Sequence, residues 1–188
     1  MVAWRFTPRS SPTRSSLTES LDNPIWHALN TLQAAHGSRN DKAALYRRGV
    51  SPFAALGAGG SLEDLAPLAQ SEQVVIFMRS ARIPVASAAG WESLGEVATV
   101  QMVCLRPEQA EASTAEELAA GDVEQMLSLT RLTDPGPFQK NTPQLGRYLG
   151  VKEGGELIAM AGERFRLPGW TEVSGVCTHP EQQGRGLA

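Results

Sequence analysis

Near the end of the sequence, Gln183-Gly184-Arg185-Gly186-Leu187-Ala188 brackets an arginine with two glycines, directly after an apolar run that closes in Val176-Cys177-Thr178-His179-Pro180. The run reads as a buried strand stopped by Pro180, and the glycines then stand where a helix should start. A loop of this kind aims several backbone N–H groups at one spot and lets the main chain approach a bulky anion with no Cβ in the way. A phosphate or pyrophosphate suits such a spot. An ordinary glycine turn between strand and helix is the plain alternative. A nucleotide-triphosphatase loop is poorly matched, because Gly186 is followed by Leu187-Ala188 and not by Lys with Ser or Thr.

The spacing Gln-x-x-Gly-x-Ala, placed directly after that strand, resembles the acyl-CoA pyrophosphate loop of the GNAT superfamily of N-acetyltransferases. The resemblance runs from Ala115 to Ala188. It implies an α/β fold, mixed α+β in three layers, that is incomplete at the C-terminus, and an N-acetyltransferase that takes acetyl-CoA as acyl donor with no metal. The acceptor it implies is a small-molecule or peptide amine. By the same resemblance the backbone of Val176, Cys177 and Thr178 pairs with the pantetheine arm. The amides of Gln183, Gly184, Arg185, Gly186, Leu187 and Ala188 hold the pyrophosphate, with Arg185 adding charge at the rim. A lysine-like amine with a pKa of about 10.4 is mostly protonated at pH 7, so a base or water relay is needed. Glu172 stands at the strand position where many members carry that base, with Glu163 as second choice. A solvated or salt-bridged strand carboxylate is the plain reading of Glu172. Strand alternation sends Val173 and Cys177 to the face opposite Glu172, and nothing nearby in sequence would activate Cys177 as a nucleophile. Because the sequence stops inside the loop, the expectation is weak acyl-CoA binding and little turnover. The competing expectation is a non-catalytic module that binds acyl-CoA or a partner on a partial GNAT fold.

The elements that must position these residues follow from local signals. Asp122 and Gln125 form a candidate capping box, with Val123, Met126, Leu127 and Thr130 on one helical face. Thr133-Asp-Pro-Gly-Pro137 stops that helix. In GNAT enzymes the loop after this helix borders the acceptor, so Asp134 to Lys140 is where acceptor contacts are expected, against the plain reading of a rigid connector. Asn141-Thr-Pro143 opens a short helix through Leu145. Tyr148 to Val151 and Leu157 to Ala161 read as a hairpin bent at Gly154-Gly155. Leu167-Pro-Gly-Trp170 then turns the chain into the strand that carries the loop.

Upstream, residues 1–20 carry no acidic residue before Glu19 and read as a disordered arm, residues 21–110 as an α/β companion region, and 111–188 as the first half of the GNAT domain. Within the companion region, Asn23-Pro24 starts a helix whose stripe Ile25, Trp26, Leu29 and Leu32 runs until Gly37. Leu45 to Val50 is a candidate strand or loop, and Gly57 to Gly60 is a turn. Ser61 to Asp64 starts a helix at Leu62, while Val74 to Met78 and Thr99 to Leu105 are apolar strands.

Composition bounds the function. A formal charge of −3 gives no net pull toward nucleic acid or anionic lipid. No apolar run approaches the roughly 20 residues that span a bilayer. Cys104 and Cys177 sit in apolar runs, no histidines pair at ligand spacing, and no secretory signal opens the chain. These point to buried thiols, no metal and a cytoplasmic location.

Overall fold

The computed structural model describes residues 2–4, 19–79, 90–106 and 114–187. It is a mixed α/β structure in two units, one comprising Met1–Phe6, Gly49–Ser51 and Gln101–Ala188, the other Thr7–Arg48 and Pro52–Val100. The boundary expected between 110 and 111 falls within residues 107–113, outside the described residues.

The first unit carries a sheet of six strands. In chain order these are β1 (Val2–Trp4), β6 (Met102–Cys104), β7 (Glu116–Glu117), β8 (Tyr148–Glu153), β9 (Glu156–Leu167) and β10 (Trp170–Thr178), arranged β6-β1-β10-β9-β8-β7. The β1–β6 pair is parallel and the others are antiparallel. The expected arm over 1–20 therefore gives Val2–Trp4 to the sheet, while residues 5–18 lie outside the described residues. The hairpin forms as expected, with Gly154 and Gly155 both at positive φ (59° and 86°), which glycine adopts without a Cβ penalty.

The helix of this unit, Val123–Thr133, buries Met126, Leu129 and Thr130. Met126 and Leu129 pack with Tyr148, Leu157, Met160 and Cys177 in one apolar cluster. Its expected capping box does not form. Asp122 instead accepts from the Ala119 N–H (2.8 Å), and Gln125 reaches across to the second hairpin arm. Its Oε1 accepts from Leu157 N–H (2.7 Å) and its Nε2 donates to the Gly155 carbonyl (3.2 Å). Gln125 thereby fixes helix to hairpin. Asp134 ends the helix in the left-handed region (φ 45°), and a short 3₁₀ turn, Thr142–Leu145, follows. The Thr142 hydroxyl donates to the Val50 carbonyl (2.8 Å), which ties Gly49–Ser51 into this unit.

The second unit holds a small sheet, β2-β3-β4-β5, formed by Gly37–Arg39, Ala43–Tyr46, Phe53–Leu56 and Ile76–Phe77. Its core is Ala43, Leu45, Ala54, Leu56, Leu62 and Leu65. The helix Leu62–Leu65 starts on the expected Ser61 signal, where Asp64 accepts from both the Ser61 N–H and its hydroxyl. The helix expected to reach Gly37 ends at Leu29, and Leu32 is exposed. Asn30 and Thr31 explain the stop, since their side chains donate to the Trp26 and His27 carbonyls of the last turn. Trp26 packs where a Cβ on Gly57 would lie only 2.8 Å from its ring. The strands expected over 74–78 and 99–105 shrink to Ile76–Phe77 and Met102–Cys104, leaving Val74, Val100 and Leu105 exposed. Among the described residues, no helix is long and apolar enough to cross a membrane.

Candidate functional site

The site is built on β10, whose register against β9 slips twice. Thr171 faces Arg166 and Val173 faces Glu163, which places an extra residue on β9. Further on, Ser174 faces Gly162 and Cys177 faces Met160, so the extra residue now sits on β10. Gly175 takes up this second slip at φ +63°, the left-handed setting of a β-bulge that glycine enters without strain. On the side away from β9, β1 pairs only with Thr171, Glu172 and Val173. Residues 174–178 have no strand partner on that edge among the described residues. Those of their backbone N–H and C=O groups that point away from β9 are available to an extended ligand that pairs as an added strand.

The bulge overturns the expected alternation. Glu172 and Cys177 are both buried, and the register puts both on the Tyr148 face, since Ser174 and Tyr148 both lie opposite Gly162 and Cys177 lies opposite Met160 in the same apolar cluster. Glu172 is held by Arg164, whose Nε donates to Oε2 at 2.9 Å and whose terminal nitrogen donates to Oε1 at 2.7 Å. Both carboxylate oxygens therefore accept from one guanidinium, a planar two-point contact. Glu163, opposite Val173, lies on the other face; its Oε2 accepts from the Arg147 N–H (3.1 Å). Burial pushes the Cys177 thiol above its ordinary pKa, although a hydrogen bond with Thr133 pulls the other way. A thiol in that state is no nucleophile at neutral pH.

Tyr148 lies across this face of the sheet. Its ring passes over Gly162, where a Cβ would stand 2.1 Å from Cδ1 and Cε1, and its Cε1 lies 3.4 Å from the place of a Cβ on Gly175. Phe138 meets it edge-on, with centroids 5.6 Å apart. Burial pushes the phenol well above its ordinary pKa, opposed by Arg164, so it stays protonated.

Beyond β10, His179 caps the turn Pro180–Gln182 by accepting from the Glu181 N–H. Gly184 (φ 78°) and Gly186 (φ 68°) follow, and no atom lies within 4 Å of a Cβ placed on either. The loop backbone is thus open to a bulky anion, as the glycine pattern requires. Arg185 is turned to the hairpin, where its two terminal nitrogens donate to Glu153 Oε1 (2.5 Å) and Oε2 (3.2 Å), and it also donates to Gln182. That pair holds the Glu153 carboxyl below the usual carboxylate range. Gln183 and Arg185 are exposed and Leu187 is half-buried; Ala188 lies outside the described residues.

A cleft of ≈ 410 Å³ opens beside the end of the helix, lined by Thr130, Arg131, Asp134, Gly136, Pro137 and Phe138. It falls on the segment where acceptor contacts are expected. Phe138 joins it to Tyr148, and through Tyr148 to the Gly175 bulge.

The structure therefore places Val176, Cys177, Thr178 and the glycine loop in sequence along one strand end, with Glu172 further back and clamped. Sequence reasoning missed Tyr148, Arg164 and Glu153. A glycine inside an apolar strand, Gly175, was the available sign of the bulge.

The profile of the FR47-like protein family matches residues 148–188, from Tyr148 to the end of the loop. The crystal structure of a protein of the GNAT acetyltransferase family from Novosphingobium aromaticivorans DSM 12444 is 30% identical, with a TM-score of 0.72, over 90% of this chain and 75% of that one. No curated protein matches the sequence. Shared identity at that level over so much of both chains makes this chain a member of the GNAT family of acetyltransferases.

Proposed function

We propose that the chain binds acetyl-CoA along residues 174–178 and the glycine loop, and presents its acyl group to an amine for N-acetylation. The observation that carries this reading is the glycine bulge on a strand edge without a partner among the described residues, running directly into a loop whose glycines leave the backbone clear. Acyl-CoA supplies an activated thioester: the amine nitrogen bonds to the carbonyl carbon, the C–S bond breaks, one amine proton is lost and the thiol leaves. The chain's own groups orient this exchange. Val176 and Thr178, which alternate with the β9-paired Cys177, offer their N–H groups to the pantetheine amides, and the amides of Gln183 to Ala188 receive the pyrophosphate. Arg185 must leave Glu153 to add its charge to the phosphates.

The acceptor enters by the cleft at Asp134. Its carboxylate has no hydrogen-bond or ion-pair partner among the described residues and stands ready for an ammonium group. Glu172, clamped by Arg164, contributes fixed charge beside the bulge, and it takes up the proton only if the guanidinium yields one oxygen. That clamp is also the observation favouring the second reading, a module that binds acyl-CoA without turning it over.

Calorimetry with acetyl-CoA tests the first step. Binding by the wild-type chain that is lost in Gly186→Val supports the site; equal binding by both removes the loop from it. Thiol release, followed with a panel of amines, then separates enzyme from module.

A further inference from the structure

Three features of Tyr148 are unusual together. The side chain is 3% exposed, and its hydroxyl has no hydrogen-bond partner among the described residues. Two glycines keep its path clear: any side chain at Gly162 would overlap the ring, and Gly175 lies against its far edge. The buried side-chain atoms that lack a partner among the described residues are His36 Nδ1 and Gln139 Oε1 and not this hydroxyl, so the ring is buried while its oxygen stays accessible to a ligand. The ring carbon nearest Gly175 is Cε1, adjacent to the carbon that bears the hydroxyl, so the phenol points from β8 over β9 to the bulge on β10.

Resting on the acyl-CoA reading above, we propose that Tyr148 donates a hydrogen bond to the acyl carbonyl oxygen seated at the Gly175 bulge. The proton stays on the phenol. As the amine nitrogen bonds to the carbonyl carbon, the C=O electron pair moves onto oxygen and the Tyr148 hydrogen bond shortens. When the C–S bond breaks, that pair returns. A phenol held protonated by burial suits a donor that never lets go of its proton. Phe138 packed edge-on keeps the ring from swinging away.

The test uses acetyl-CoA carrying carbon-13 at the acyl carbonyl, mixed with the full chain, and reads the carbonyl stretch by infrared difference spectroscopy. Tyr148→Phe keeps the ring, and thus the packing over Gly162, but lacks the hydroxyl. In wild type the bound carbonyl band moves to lower frequency; in Tyr148→Phe most of that shift is lost while the dissociation constant changes less than about twofold. With an accepted amine, kcat falls about 10²-fold at unchanged KM. An identical band in both proteins overturns the inference and leaves the acyl-CoA site standing. Failure of the wild-type chain to bind acetyl-CoA overturns the site and this role with it.

Discussion

Gly162→Ala is the most incisive single change, because one methyl group tests the path on which Tyr148 depends. A Cβ at this position would lie 2.1 Å from two ring carbons and 2.5 Å from a third. Carbon atoms in contact sit roughly 3.5–4.0 Å apart, so the ring must retreat by about 1.5 Å. Gly162 is not at positive φ, so the backbone accepts alanine and the whole cost falls on packing. Overpacking of this kind costs about 1–3 kcal/mol. For a chain of this length each kcal/mol moves the melting temperature by about 2–4 °C, so a fall of about 2–12 °C is expected. Calorimetric melting of wild type, Gly162→Ala, Tyr148→Ala and the double variant closes a cycle. With the ring gone, Gly162→Ala costs close to nothing, and the coupling energy equals the overpacking term. The retreating ring also withdraws its hydroxyl from Gly175, so the infrared shift of bound acetyl-CoA shrinks in Gly162→Ala as well. Additive effects of the two substitutions, or an unchanged melting temperature in Gly162→Ala, would refute the packing argument at its root.

Other outcomes follow from the same contacts. Glu172→Gln leaves the Arg164 charge buried without its carboxylate and destabilises by about 3–5 kcal/mol in chemical denaturation, whereas replacing both by apolar residues of similar size recovers most of it. Glu153→Gln frees Arg185 for phosphate, so acetyl-CoA binds more tightly at low salt and the gain disappears at high salt; weaker binding would instead mean that the pair holds the loop in its receptive shape. The Asp122 carboxyl is held below its ordinary pKa by the Ala119 N–H and by Lys152. Its folded pKa is thus the lower one, and its contribution to stability is complete above the unfolded value near 3.9 and is lost as pH falls through the folded value. Asp122→Asn should therefore flatten that part of an acid-unfolding profile. In the folded chain Cys177 reacts with a thiol reagent only at the rate of global opening, because it is buried and its thiol is raised in pKa, while the partly exposed Cys104 reacts first.

Local chemistry is what the sequence made readable. Gly154-Gly155 must bend a hairpin, Asp134-Pro-Gly-Pro137 must stop a helix, and Pro180 must end a strand, because each acts through its own backbone torsions. The loop of Gln183 to Gly186 was legible for the same reason, and so was the family likeness it carries. What stayed hidden was made by partners far apart in the chain. Arg164 and Glu172 meet only once β9 and β10 are in register, and Arg185 finds Glu153 across the hairpin. The hairpin of Ala43–Tyr46 and Phe53–Leu56 is rich in alanine, which carries little strand signal, and was seen only in part.

The alternation of β10 shows most plainly how such an error arises. Counting by twos from Glu172 sends Cys177 to the opposite face, and the count is sound for a regular strand. Gly175 adds one residue at a left-handed torsion, and every side chain after it changes sides. Cys177 thus joins Met126, Leu129 and Tyr148 in the core, while Val176 is left 44% exposed beside the strand edge. The irregularity that defeats the count is the feature on which the proposed acyl-CoA site rests. A regular β10 would alternate without a break and leave Tyr148 facing an ordinary strand; the bulge takes Gly175 and Val176 out of the ladder, with Gly175 beside the Tyr148 ring.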